Sequence, residues 1–432
     1  MTTTLNEKPG YKIMGLSLPL FAIIAVVVLA GTYLGVLPTG MIGAFALMMV
    51  VGAIFNEIGT HLPIVKDYLG GGPIVIIFGS AALVTYGVFP ESSVEIMNNF
   101  MKGEGFLDFY IAALITGSIL GMNRELLIKA AVRYLPAIIG GVVVSLGLVG
   151  LVGAVIGYGA KEAILYIGVP IMGGGMGAGA VPLSKIFGST LQKDPAEMLS
   201  IMVPAVALGN ALAIVMAGVL DRVGKVRKEL TGNGELMVIQ SKGNVVAEKE
   251  EPIQIDYKMM GIGLLMAVTF FIFGSILGKF IPSIHAYALM IISVAAVKAL
   301  GLLPRKYEMA AFQWFQFVMS SLTGVLLVGI GVAYTNLQQV IDAFTLQYVL
   351  LVGVTVIGAI LGSGFVGKLV GFYPIESSIT AGLCMANMGG TGDVAVLSAS
   401  DRMKLMPFAQ ISSRIGGAFM LILASTLLRL IS

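Results

Sequence analysis

The sequence predicts an all-α polytopic membrane protein: about 11 transmembrane helices in two inverted-topology repeats, each with a glycine-rich re-entrant hairpin. Three observations predict it. Of 432 residues, 57% are apolar and only 11% are charged, against about 25% charged in an ordinary soluble domain. Glycine fills 57 positions, nearly twice its usual share of roughly 7%, as expected where helices pack closely in lipid. Long uncharged stretches recur along the whole chain. The composition excludes a disordered chain, which would be charged and poor in apolar residues. The glycines follow no three-residue period, which excludes collagen. The one cysteine, Cys384, excludes an intrachain disulfide and a thiolate cluster. Two histidines, His61 and His285, argue against a histidine-based metal site. The net charge of +3 gives no sign of a nucleic-acid partner; the placement of the positive charges is what carries information.

A spanning helix needs about 20 largely apolar residues. The first candidate, Met14 to Val36, has no charge; it is too long for a signal-peptide core and lacks a clear cleavage site, so it reads as a retained helix. Gly40 to Phe55, Pro73 to Pro90, Phe109 to Met122, Leu135 to Ala160, Ala163 to Ser184 and Met198 to Leu220 follow. The second half gives Met259 to Gly278, Ala286 to Leu303, Met309 to Ile341, Ala343 to Gly367, Ser377 to Gly392 and Leu405 to Leu428. The organisation is therefore residues 1–39, a cytoplasmic N-terminus and an extra first helix; 40–220, repeat 1 with its hairpin near 163–186; 221–258, a cytoplasmic linker; and 259–432, repeat 2 with its hairpin near 374–404.

Loop charges set the orientation. The linker 221–258 holds seven basic and seven acidic residues and begins with the basic run 222–228 against a helix end, which marks it as cytoplasmic. Arg124, Lys129 and Arg133 mark 123–136 as inside, and three acids against one lysine place 91–105 outside as a loop. With the N-terminus inside, alternate crossings satisfy these loops up to residue 162. An odd number of crossings must then separate 162 from 221, yet two apolar segments lie there. Ala163 to Ser184 is the one that dips in and returns, because Pro170, Pro182 and the run Gly173-Gly-Gly-Met-Gly-Ala-Gly179 break a helix at its middle. The same argument makes 374–404 re-entrant around Gly389-Gly-Thr-Gly392 and carries the C-terminus outside.

Bare backbone at membrane depth is tolerated only inside protein or beside a water-filled cavity. Two glycine breaks in corresponding places thus predict a solvated central site, with half-helix N-termini suited to carboxylates and free carbonyls suited to a cation. Arg414 is the only charge between Leu405 and Leu428. At a helix centre an arginine costs about 2.5–3.5 kcal/mol on insertion scales, so it should face a cavity and a partner. The partner is either a substrate carboxylate, met by a bidentate fork, or Asp393 or Asp401 in an internal ion pair. Asp393, with Asn387 and Thr391 beside it and the hydroxyls of Ser412 and Ser413 preceding Arg414, is a candidate hard-cation site; the competing reading is that it caps the hairpin. Glu376, after Pro374, reads as a cap at the hairpin entrance. Gly390-Thr-Gly-Asp393 also matches an intramembrane aspartyl protease signature, but that chemistry needs two aspartates sharing a proton, and neither Asp108 nor Asp401 lies in a matching position. No Gly-Lys-Ser/Thr follows the first glycine run, so it is no phosphate loop.

At these runs the sequence resembles the 2-hydroxycarboxylate transporter family of bacterial sodium–citrate and sodium–malate symporters and citrate– or malate–lactate exchangers. The resembling segments are Pro170-Ile-Met-Gly-Gly-Gly-Met-Gly-Ala-Gly-Ala-Val-Pro-Leu-Ser184, Tyr373-Pro-Ile-Glu-Ser-Ser-Ile-Thr-Ala-Gly-Leu383, Gly389-Gly-Thr-Gly-Asp393 and Ala409-Gln-Ile-Ser-Ser-Arg-Ile-Gly-Gly417, and the similarity covers nearly the whole chain. It implies a homodimer in the bacterial inner membrane, moving substrate by an elevator-like slide of the part that carries both hairpins. By position it implies that Gly177, Gly390, Thr391 and Arg414 contact substrate, and that Asn387, Asp393, Ser413 and Thr391 lie at the sodium sites. It implies secondary active transport coupled to a sodium or proton gradient, with exchange of malate or citrate for lactate as the alternative, and no cofactor, sodium being the candidate coupling ion. Two positions depart: a citrate symporter of the family has asparagine where this chain has Met176 and arginine where it has Met388. With one clamping arginine absent, a dicarboxylate such as malate becomes the expected substrate ahead of the tricarboxylate citrate. A channel would favour rings of like charge or a continuous polar stripe, which the apolar segments lack.

Overall fold

The computed structural model describes residues 11–63, 65, 71–121, 124–238, 255–282, 286–402 and 405–431. The N-terminal residues 1–10, most of 64–70, the linker residues 239–254 and Ser432 lie outside the described residues.

Helices dominate, in the order in which the apolar stretches occur. In chain order they are α1 (Leu18–Tyr33), α2 (Met41–His61), α3 (Gly72–Thr85), α4 (Glu91–Asn98), α5 (Phe106–Gly121) and α6 (Arg124–Val155). After these come α7 (Ala160–Glu162), α8 (Val169–Ile171), α9 (Val181–Leu191), α10 (Pro195–Val226), α11 (Tyr257–Phe280), α12 (Ala286–Leu300) and α13 (Arg305–Tyr334). The chain ends with α14 (Leu337–Ala343), α15 (Leu346–Leu369), α16 (Pro374–Ser377), α17 (Gly390–Ala399), α18 (Met406–Ile411) and α19 (Gly417–Ile431). Among the described residues six helices are long and apolar enough to cross a membrane, or seven if α4 and α5, bent by 47° at their junction, form one span. Four shorter apolar helices accompany them: Leu18–Tyr33, Val75–Thr85, Leu289–Leu300 and Ser412–Leu428.

Several boundaries differ from the sequence expectation, each for a local reason. Lys12–Ile13 and Leu16–Ser17 pair as a two-stranded antiparallel ribbon, β1 and β2, so the first helix starts at Leu18 rather than Met14. Its turn is made by Met14 and Gly15, both at positive φ. Residues 91–98, expected as loop, are helical. The helix expected to begin at Leu135 begins at Arg124, because Arg, Glu, Leu, Lys and Ala are good helix formers and apolar length marks only the part suited to lipid. The stretch Met309 to Ile341 is split, with Thr335 and Asn336 separating α13 from α14.

The chain forms two compact units. One comprises Met1–Lys66, Gly71–Leu107 and Leu322–Ala333. In it Phe100 and Phe106 stack with ring centroids 4.6 Å apart, Phe45 meets both edge-on at 4.9 and 5.7 Å, and Gly52 lies directly against the backbone of Gly324. The other comprises Asp67–Gly70, Asp108–Ser321 and Tyr334–Ser432. Its axis is the pair α6 and α15. These helices approach so closely that a Cβ at Gly358 would sit 2.6 Å from the Ser145 Cα, and one at Gly140 3.0 Å from the Gly362 carbonyl oxygen. With no hydrophobic driving force between helices in lipid, such small-residue contact gives dispersion in place of water exclusion. The Ser145 hydroxyl adds a bond of 2.8 Å to the Thr355 carbonyl. In the same unit Asp108, on α5, accepts hydrogen bonds from Lys185 on α9 and from Tyr287 on α12.

Candidate functional site: two broken helices and the last helix

The first broken segment runs from α7 through a π turn at Ala163–Gly168 to α8, which ends at Ile171. The chain resumes as a π turn at Met176–Ala180 leading into α9. Between them Gly174 and Gly175 have φ of +78° and +114°, conformations that L side chains rarely adopt. The second runs from α16 through a π turn at Ser378–Leu383, breaks over 384–389, and resumes at Gly390 as α17. The last helix is interrupted in turn by a π turn at Ser412–Gly416. Such turns insert one extra residue and recur at functional sites.

These three interruptions meet. A Cβ on Gly175 would lie 2.6 Å from the Met388 carbonyl oxygen, and one on Gly389 3.1 Å from that of Gly174. Gly174 also faces the Ser413 carbonyl and the Gly417 Cα, and a Cβ on Gly417 would lie 2.8 Å from the Gly173 carbonyl oxygen. Backbone therefore touches backbone at the junction, which explains why glycine clusters on all three pieces. The carbonyls of Gly173, Gly174, Met388 and Ser413 and the start of α17 are gathered in one place.

Asp393 lies at the centre, fully buried. Its Oδ1 accepts from Asn387 Nδ2 at 2.9 Å and its Oδ2 from the Ser413 hydroxyl at 2.9 Å. The Cys384 thiol lies beside it. These partners are side chains from the break and from the last helix, so Asp393 binds across the junction instead of capping its own helix. Asn387 turns the chain just ahead of the helix, its Oδ1 accepting from the Gly389 N–H at 2.6 Å. An ionised carboxylate offers about four lone-pair positions, so capacity remains beside two further oxygen-bearing side chains, a hard donor set that suits a cation such as sodium. The aspartyl protease reading meets an obstacle here. Asp108 is held by Lys185 and Tyr287, and Asp401 is exposed at a turn with φ of +55°; neither shares a proton with Asp393.

The structure brings together most of the sequence-selected residues. Met176 is buried, Met388 and Gly177 are half-buried, and Gly390 and Thr391 open α17. The side chain of Thr391 lies outside the described residues. Arg414 follows Ser413, is half-buried, and holds its guanidinium 5.4 Å from the centroid of the Phe315 ring, a cation–π geometry.

Glu376 does not cap the entrance to the second broken segment. It is fully buried in an ion-pair network. Its carboxylate accepts from the Thr231 hydroxyl at 2.6 Å, from the N–H groups of Gly232 and Gly234 at 3.0 and 3.3 Å, and from Arg402 Nε at 3.0 Å. Arg402 is itself 3% exposed and donates to Asp221 at 2.8 Å and to the Thr231 hydroxyl at 3.0 Å. Backbone bonds continue the clasp: Tyr373 N to the Leu236 carbonyl at 2.9 Å, and Val238 N to that of Gly371 at 3.0 Å. The start of the linker therefore folds back and ties both ends of the second broken segment to the end of α10.

Sequence reasoning missed this network, because Asp221, Thr231, Glu376 and Arg402 are far apart in the chain. It missed Tyr134, whose buried hydroxyl meets that of Ser412 at 2.9 Å, and Phe315 beneath Arg414. It also missed Asn210 of α10, whose Oδ1 accepts from the Met388 N–H at 3.1 Å. A signal existed there: Asn210 is the lone carboxamide in the apolar run Met198 to Leu220, and polar side chains in such runs mark function or helix contacts.

Cys384 is completely buried at the start of the second break. A membrane-permeant maleimide is expected to label it slowly, and substrate to slow that labelling further, since the thiol lies beside Asp393 at the junction. Mass spectrometry of labelled protein measures this; a labelling rate indifferent to saturating substrate would show that Cys384 is remote from the binding event.

A model of the 2-hydroxycarboxylate transporter family matches residues 13–426. The chain is 42% identical to a Na(+)-malate symporter of Bacillus subtilis over 97% of this chain and 93% of that protein. It is 41% identical to a citrate transporter of Leuconostoc mesenteroides, over 99% of this chain and 96% of that one. It is 42% identical to a citrate/sodium symporter of Salmonella typhimurium, over 97% and 96% respectively.

Proposed function

The chain belongs to the 2-hydroxycarboxylate transporter family, and from that premise we propose that it is a sodium-coupled symporter of a small 2-hydroxydicarboxylate, malate ahead of citrate. The observation that carries the reading is the convergence of both glycine breaks and the last helix on Asp393, Asn387 and Ser413, with Arg414 as the next residue. In this reading Arg414 grips a substrate carboxylate as a planar fork. Gly177, Gly390 and Thr391 present backbone and hydroxyl groups to the rest of the anion, and Met176 and Met388 form an apolar wall. Asp393, Asn387, Ser413 and Thr391 hold sodium. Methionine at 388 favours a dicarboxylate, because the wall offers no second cation to a third carboxylate. The relatives' names point both to malate and to citrate at nearly equal identity, so it is these side chains that favour malate.

The same reading places the two broken segments as re-entrant hairpins of inverted repeats in the bacterial inner membrane of a homodimer. They shuttle together by an elevator-like movement, with residues 1–12 and the linker cytoplasmic and Ser432 outside. The basic runs at 123–136 and 222–228 support that orientation. Reporter fusions after Ser432 are expected to report the outer face; a cytoplasmic signal would refute the inverted repeats.

The deciding experiment is uptake of labelled malate and labelled citrate into proteoliposomes with and without an inward sodium gradient. Sodium-driven malate accumulation is expected. Uptake driven only by internal lactate, with sodium irrelevant, would make the protein an exchanger. Passive equilibration without accumulation would make it a channel.

A further inference from the structure

We infer that Asn210, at the middle of α10, is a further substrate-contacting residue of this transporter, donating through its side-chain N–H2 to an oxygen of the bound anion; the inference rests on the transport reading above. Asn210 is fully buried. Its Oδ1 accepts from the Met388 N–H at 3.1 Å. That bond fixes which way the carboxamide points, because an N–H can be accepted only by the oxygen. The Nδ2 group is thereby turned away from Met388 and has no hydrogen-bond partner among the described residues. A buried donor without a partner costs about 1–3 kcal/mol, and native proteins rarely leave one so.

Its position says what the partner is. The two atoms of one carboxamide are adjacent, so Nδ2 lies beside the second break, where Met388 leads into α17. A Cβ on Gly392 would come within 2.8 Å of Asn210 Oδ1, which sets the carboxamide against the first turn of that helix. The helix N-terminus is a favourable place for an anion, and a buried N–H2 group on the carboxamide that packs against its first turn adds a second donor close by. The same chemistry excludes sodium as its partner, since a donor hydrogen repels a cation. The Asn210 N–H2 group thus suits the anion, while the oxygens of Asp393 and Ser413 suit the cation, although Asn210 Oδ1 and Asn387 approach the same face of Gly392. It comes from the long helix of the first half of the chain, so the first half contributes a side chain, and not only glycine backbone, to recognition of the anion.

The test uses two variants in proteoliposomes, with malate KM, Vmax, sodium half-saturation and the detergent melting temperature measured for each. Asn210→Asp keeps an oxygen for the Met388 N–H and removes the donor. Asn210→Leu keeps the size and carries no charge. Both are expected to raise malate KM by about tenfold or more, the factor expected on losing a hydrogen bond to a charged group, with Vmax and sodium half-saturation changed less than threefold. A folded Asn210→Asp protein with wild-type malate KM overturns the inference and assigns the donor to a water molecule. Equal increases in malate KM and in sodium half-saturation also overturn it, because they signify a distorted junction. Should Asn210→Leu fail to insert, Asn210→Asp decides alone. Failure of the wild-type protein to take up malate or citrate would instead refute the transport reading itself.

Discussion

Arg414→Ala lowers malate affinity by about 30-fold or more while the protein still inserts and folds. The figure follows from removing one member of a buried hydrogen-bonded charge pair, which costs about 2–5 kcal/mol. A dianion entering the junction gives up its water, and an unpaired buried anion is very costly. In the proposed reading the α17 N-terminus supplies backbone donors to one end of the substrate, and Arg414 serves the other. Arg414→Lys keeps the charge but loses the fork, so it falls between wild type and Arg414→Ala. Insertion becomes easier in Arg414→Ala, because an arginine within an apolar helix is itself unfavourable. The rival account makes Arg414 a structural counter-ion for Asp393, whose oxygens already accept from Asn387 and Ser413. It predicts a misfolded Arg414→Ala that is rescued by adding Asp393→Ala. Malate binding and detergent melting of the three proteins separate the accounts: undiminished malate affinity in a well-folded Arg414→Ala protein refutes the anchor role.

Arg402→Ala destabilises the protein by about 3–5 kcal/mol, the cost of leaving buried carboxylates without their counter-ion. Glu376 is then held only by Thr231 and the N–H groups of Gly232 and Gly234, and Asp221 keeps Lys225 at 2.7 Å. Adding Glu376→Gln recovers much of the loss, because a neutral carboxamide no longer needs a cation. Thermal melting in detergent and proteolysis at the linker measure both effects. Substrate affinity of the folded fraction should change little, since the network sits at the far ends of the second broken segment and not at its break. An Arg402→Ala protein as stable as wild type would show that the network contributes nothing net.

What the sequence determined by itself is what depends on local composition. Apolar runs of roughly spanning length located the helices, and Gly173–Gly179 and Gly389–Gly392 located the breaks, since a glycine run weakens a helix whatever surrounds it. The chain order of Ser413 and Arg414 within an otherwise uncharged helix marked them as exceptional. Helix ends were less legible: Arg124 to Tyr134 is helical although charged, because apolarity reports lipid exposure and not backbone conformation. Tertiary structure alone decided which polar groups meet. Asn387, Asp393 and Ser413 could be proposed as neighbours, but whether Asp393 caps a helix or bridges the last helix turns on a 2.9 Å contact across 20 residues of sequence. Asn210 lies 178 residues from Met388, and Arg402 lies 181 from Asp221. No periodicity encodes such pairs. They are set by how closely glycine-lined helices approach, and that distance emerges only once α6, α10, α15 and the last helix are packed together.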